Sequence, residues 1–314
     1  VGSYYNLYHQ FSYSPKKGDC KYSLAFVKHI FEDQYELGLD YMTLLYKLPK
    51  QKLPILVLVS KERGTGKSTF LEWLLMIFGG NAKLIRSEDL SNKFNASYAH
   101  ANIVMADEAF VDKTKVMEKL KFLATTPEVM YESKGIDQIP IPWFGKIILA
   151  GNREQDLVRI DDDEVRYWVR KIGIIEDEKL DPDFKGKLKG EIPAFIEYLS
   201  SREMSVQMKL SRHWFKPEML TTKQLVSMKK DSKSSLFKDL SSDLLALMDE
   251  HEVDVLYATP KDIKALFYKN SNNIHSSYII KVLKDEFDLL PASKTTAYWH
   301  MNVPKGISAS FPEN

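Results

Sequence analysis

The sequence has 314 residues, with 44 Lys+Arg against 43 Asp+Glu and a formal net charge of +1. That balance excludes a basic protein that coats nucleic acid by bulk electrostatics, and equally an acidic disordered tail. With 44% hydrophobic residues there is core material for two or three domains. A single cysteine, Cys20, excludes an intramolecular disulfide or a cysteine-rich zinc module and points to a reducing compartment.

The chain opens on Val1-Gly2-Ser3, which reads as the cut end of a longer protein, and continues through a tyrosine-rich stretch (Tyr4, Tyr5, Tyr8, Tyr13). After the turn signal Pro15-Lys16-Lys17-Gly18, Leu24, Val27, Ile30 and Phe31 recur at helical spacing, and Leu37, Tyr41, Leu44 and Leu45 do so again. Residues 1–50 are expected to form an N-terminal helical region. From Pro54 the texture changes. Ile55–Val59, 103–106 and 147–150 are short continuous apolar runs, read as strands buried on both faces, with a weaker fourth at 172–175. Helical patterns separate them, notably Phe70 to Phe78 and Val116 to Leu123. Strands alternating with helices predict a parallel α/β sheet over 51–215. Residues 229–235 read as a polar linker. Beyond it, 236–250 is amphipathic, Thr259-Pro260 caps a second helix, and Ser276 or Ser277 opens a third. Strand-like pieces at Leu289-Leu290 and 298–303 complete a winged-helix-like domain over 236–314. No apolar run approaches the ~18 residues of a membrane-spanning helix.

The chemistry concentrates between Lys61 and Arg170. Gly64-Thr65-Gly66-Lys67-Ser68-Thr69 joins the first buried strand to a helix, the context of a phosphate-binding P-loop. Glycines let backbone N–H groups turn in around phosphate oxygens. Lys67 reaches the β- and γ-phosphates of a nucleotide, and the Ser68 hydroxyl takes Mg²⁺. Lys61 stands where the full pattern has its first glycine. Forty residues after Lys67, Asp107-Glu108 ends the second strand. One carboxylate there suits Mg²⁺ and the other suits the attacking water. Asn152 ends the third strand, with an amide that can hold water or a γ-phosphate without adding charge. Arg159, Arg166 and Arg170 follow, and spacing does not choose among them for neutralising a transferring phosphoryl group. Lys134-Gly135 is the tip of a hairpin with arms near 129–131 and 139–143. Its lysine is either inert or a phosphate-backbone contact. The seven histidines show no metal-ligand spacing.

In this order, a P-loop, an Asp-Glu strand, a Lys-Gly hairpin, an Asn-terminated strand and an arginine resemble the superfamily 3 helicases, an AAA+ group of viruses, phages and mobile elements. The similarity is greatest to the phage- and poxvirus-type primase-helicases and extends over about 4–215, taking in Tyr5-Asn6-Leu7-Tyr8 and Tyr41-Met42-Thr43-Leu44-Leu45. The resemblance implies ATP and Mg²⁺ at Gly64–Thr69 and Asp107, catalytic roles for Lys67, Glu108 and Asn152, and Arg166 as a finger supplied in trans. Lys134 would line a central channel and grip single-stranded DNA. Tyr167 stands where the family has a second arginine. The implied protein is a ring-forming, most simply hexameric, replicative DNA helicase of a host cytoplasm, acting on single-stranded and forked DNA beside a primase domain upstream or in trans. An ATP-switched origin-binding initiator and a non-hydrolysing scaffold that recruits a primase are the competing expectations.

Overall fold

The computed structural model describes residues 9–92, 94–107, 114–152, 154, 157–158, 160, 163–176, 181–232, 235–269, 271 and 274–289. The chain divides into two compact units, Val1–Ser232 and Lys233–Asn314.

In the first unit, helices α1 (Lys21–Phe31) and α2 (Tyr35–Lys47) precede a five-stranded parallel sheet. Its strands are β1 (Ile55–Val59), β2 (Ala82–Ile85), β3 (Ile103–Ala106), β6 (Lys146–Gly151) and β7 (Tyr167–Lys171), in the order β2-β3-β6-β1-β7. Every paired neighbour is parallel. Helices α3 (Lys67–Phe78), α4 (Ser87–Ser91), α5 (Thr114–Thr125), α6 (Phe184–Ser201) and α7 (Lys223–Asp231) complete this unit. A two-stranded antiparallel hairpin, β4 (Glu128–Ser133) and β5 (Ile136–Pro142), is inserted between α5 and β6.

The continuous apolar runs are explained by side-chain alternation along each strand. Leu56, Leu58, Met105, Ile148, Ala150 and Trp168 enter one core with α1, α2, α3 and α6. Ile55, Val57, Val59, Val104, Leu149 and Val169 enter a second with α5 and α7. Both faces of the central strands are covered, so their middle positions are apolar. The helices of residues 1–50 share the first of these cores: Phe31 stacks on Trp168 with ring centroids 5.0 Å apart.

Two sequence-based boundaries move. The fourth strand lies at Tyr167–Lys171, not at 172–175. Tyr167 and Val169 bury on one face and Trp168 on the other, whereas Ile174 is 58% exposed and Gly173 has no side chain to bury. The expected linker also begins later, because α7 runs to Asp231. The Thr222 hydroxyl caps its start by accepting from Leu225 N–H, and buried Leu225 and Met228 hold it to the sheet. Strand β2 and helix α6 escape the sequence reading altogether.

The second unit contains α8 (Ser235–Glu250), α9 (Pro260–Phe267) and α10 (Ser276–Asp285) around Leu236, Leu240, Ile263, Ile279 and Val282. Thr259 and Asp262 form a reciprocal capping box at the start of α9, as Thr259-Pro260 predicts. Leu289 belongs to no strand. The anticipated terminal hairpin near 298–303 lies outside the described residues, as do Tyr4, Tyr5 and Tyr8.

Candidate active site

Five residues of β1 deliver the chain to a loop that only glycine tolerates at two points. Gly64 has φ +70° and Gly66 has φ +86°, the left-handed region costly for other residues. A Cβ on Gly66 would also lie 3.1 Å from the Phe26 ring. Helix α3 starts at the next residue, so the Lys67 and Ser68 amides lie in its first turn, where N–H groups lack intrahelical partners. Lys61 is not among the described residues with positive φ. The backbone at this first position therefore demands no glycine.

Lys67 is buried at 6% exposure, and its Nζ donates to Thr65 Oγ1 at 3.0 Å. The Thr65 carbonyl accepts from His29 Nε2 at 3.0 Å, tying the loop to α1. Desolvation lowers the pKa of Lys67, while the charges of Asp107, Glu62 and Glu154 oppose that shift. Three carboxylates thus converge electrostatically on the loop lysine.

Strand order explains the convergence. Because β1, β6 and β3 are adjacent and parallel, their carboxyl ends share one edge. Gly151 pairs with Val59, and its carbonyl accepts from Ser60 N–H at 3.3 Å, so Asn152 stands beside the loop entrance. Asp107 follows Ala106 on the next strand, and Ser68 and Asn152 are exposed at this edge. Ligand-binding crevices of parallel sheets form at such an edge. Glu108 and Arg159 lie outside the described residues.

Arg166 is elsewhere. Its carbonyl accepts from Ile55 N–H at 2.7 Å, at the amino-terminal edge of the sheet. The length of β1 separates it from the loop, about 15 Å at ~3.3 Å per residue. Its Nη1 contacts both oxygens of buried Glu164, at 2.8 and 2.6 Å. Within one chain Arg166 and Lys67 occupy opposite edges. Arg170 is buried and committed, with Asp33 at 2.8 Å, the Gln34 side chain at 2.9 Å and Glu32 at 3.8 Å.

Lys134 is exposed at the hairpin tip, where Gly135 takes φ +78°. Asn95, a residue the sequence reading missed, holds the hairpin to the sheet unit. Its side chain donates to Met130 O and accepts from Glu132 N–H, both at 2.8 Å, and its own N–H reaches Glu132 O at 3.2 Å. Buried at 8% exposure, this one amide imitates a paired strand. His100 and Tyr131 add a ring contact at 5.1 Å. Glu154 is the second omission. It is a 7% exposed carboxylate at the loop entrance, and nothing in its sequence neighbourhood marks it.

A family of unknown function, DUF5906, matches residues 58–171, a span that begins in β1 and ends with β7. No curated protein matches the chain. Among solved structures, the apo structure of the NrS-1 C-terminal region (305–718) superposes with a TM-score of 0.65 at 16% identity, covering 95% of this chain and 76% of that one. A second, A-form apo structure of that region gives 0.62 at 15% identity, over 96% and 77%. Similarity of this degree establishes a shared α/β fold. Among the described residues no helix is long and apolar enough to cross a membrane, and no His/Cys/Asp/Glu cluster is arranged for a metal ion.

Proposed function

We propose that the chain is an ATP-dependent DNA helicase of the superfamily 3, AAA+ type, working as a ring in the replication of a phage or mobile element. The observation that carries this reading is the sheet edge. Parallel strands bring Gly64–Thr69, Asp107 and Asn152 together there, while Lys134 stands apart on a hairpin. The left-handed glycines and the buried lysine fit a triphosphate.

ATP is then the substrate. Amides at the start of α3 and the Lys67 ammonium bind its phosphates. Ser68 and Asp107 would hold Mg²⁺, which would supply charge neutralisation for the nucleotide's phosphates. Asn152 orients water for in-line attack. As the water oxygen bonds to the γ-phosphorus, the bond to the β-bridging oxygen breaks, and Glu108 accepts the water's proton. Arg166 reaches the phosphates of a neighbouring copy. Lys134 grips a phosphate of single-stranded DNA, so that turnover around the ring advances the strand.

The test is phosphate release with and without single-stranded DNA, alongside light scattering. DNA-stimulated turnover by an oligomer, abolished in Lys67→Ala, is expected. A monomer whose turnover ignores both DNA and Lys67 would sink the proposal. One observation favours a second reading, an ATP-switched initiator. The side of α10 opposite buried Ile279 and Val282 presents exposed Ser277, Lys281 and Lys284 behind α9, a surface of the kind that enters a major groove. Tight duplex binding without strand displacement would select it.

A further inference from the structure

Two charged residues at the nucleotide edge have no part in the mechanism above. Lys171 ends β7 and pairs in register with Val59, the residue that feeds the P-loop. From there the chain runs along the loop. Ile172 N–H donates to Val59 O at 2.9 Å, Ile175 N–H reaches Gly64 O at 3.4 Å, and a Cβ on Gly66 would lie 3.6 Å from Ile175 Cδ1. Lys171 is therefore tied to the loop by the backbone pairing of β7 with β1 and by the bonds that follow it.

Its ammonium is held from below by Glu154. That carboxylate is buried and divides its oxygens. Oε1 accepts the Lys61 N–H at 3.1 Å, at the loop's first residue, and Oε2 accepts Lys171 Nζ at 3.0 Å. The Glu154 carbonyl is itself fixed by Gln224 Nε2 at 2.7 Å. Lys171 remains 54% exposed, so a buried acid presents a solvent-facing cation. An ammonium has three N–H donors, and Glu154 takes one. The pair sits at the entrance end of the loop, at the same sheet edge as Asn152 and across β1 from it, since Val59 pairs with Gly151 on one side and Lys171 on the other. The neighbouring arginines of this strand are placed differently, Arg170 buried against Asp33 and Arg166 at the opposite edge. Lys61 and Arg63 are exposed on the loop itself, with no buried acid among the described residues to fix their side chains.

We propose that Lys171 binds the terminal phosphate and so distinguishes ATP from ADP, and that Glu154 is its positioning residue. The inference rests on the nucleotide-site reading and adds the regulation of that site. ATP carries one more phosphoryl group than ADP, and a cation aimed at that group alone stabilises one nucleotide selectively. Lys67 and the α3 amides, by contrast, serve both.

The experiment is equilibrium binding, by fluorescence anisotropy, of a labelled non-hydrolysable ATP analogue and labelled ADP to the full chain with excess Mg²⁺. Wild type is expected to prefer the ATP analogue. Lys171→Ala should weaken that analogue about tenfold or more, the loss of one charge-assisted hydrogen bond, and ADP less than about twofold. Lys171→Arg should retain the preference. Glu154→Gln should lose part of it, because an uncharged amide no longer fixes the ammonium. Thermal melts of Lys171→Arg should match wild type, and Lys171→Ala, which leaves buried Glu154 without its cation, should still be folded at the binding temperature. If Lys171→Ala weakens both nucleotides equally, or neither, the inference fails while the nucleotide site stands. If wild type binds neither nucleotide, the site reading fails and takes the inference with it.

Discussion

Lys146 shows how a single residue can tie stability to pH. It opens β6 at 2% exposure, with its Nζ donating to the Pro49 carbonyl. Burial first, and then the neighbouring Lys52 charge, pushes its pKa down to about 7. Lys52, which donates to Trp143 O at 2.8 Å, is itself lowered to about 8 by burial. An unfolded lysine titrates near 10.4. Below pH 7 both states bind the proton and the folded state bears the full cost of a buried ammonium. Between about 7 and 10 the unfolded chain holds more protons, so stability rises with pH. One proton over two pH units is worth roughly 2.7 kcal/mol, or about 5–10 °C in Tm for a unit of this size. Melts at pH 7 and pH 9 should show that rise in wild type and lose most of it in Lys146→Met. An unchanged slope would mean that Lys146 stays charged.

At the scale of elements, the hairpin is the test case, because one amide fastens it. Replacing Asn95 by Ala removes two side-chain hydrogen bonds at β4 and leaves the Met130 carbonyl and Glu132 amide unmatched, at a cost of about 1–3 kcal/mol, while the backbone bond from residue 95 to Glu132 O remains. Amide exchange at 130–132 should accelerate while the core strands stay protected. Lys134→Ala should leave that exchange alone, spare basal ATP turnover and abolish DNA stimulation. Unwinding that survives the Lys134 change would remove the hairpin from translocation. The hairpin itself was legible, since Lys134-Gly135 between two apolar arms has a turn mechanism. Its fastening was not, because Asn95 and Glu132 are 37 residues apart and an asparagine in a loop carries no directional signal. The same reason hid Glu154. Strand β2 was missed because Lys83 and Leu84 face solvent on an edge of four residues, too short to show a period. Strand β7 reads late in the sequence because Arg170 and Lys171 look like surface residues, and only the distant Asp33 shows that Arg170 is buried. The buried central strands read cleanly because both of their faces are covered.

For the whole molecule, the decisive geometry is the separation of Lys67 from Arg166 across the sheet. No side chain spans about 15 Å, so a site that needs both must draw them from two copies, and the proposed ring follows if the head-to-tail contact between identical chains has a rotation that closes. This makes complementation possible. Lys67→Ala retains a good arginine, and Arg166→Lys retains a good P-loop; lysine at 166 keeps a cation beside buried Glu164 and so protects the fold. Each variant alone should lack turnover, because every interface then carries the same defect. In an equal mixture allowed to exchange subunits, about one interface in four joins an intact Lys67 to an intact Arg166. ATP turnover should return to a fraction of wild type of that order, and should disappear when the ring is cross-linked before mixing. Recovery would place the arginine in trans. Mixtures that stay inactive, while each variant still assembles and binds nucleotide, would confine Arg166 to its pairing with Glu164 and send the search for the finger to another residue.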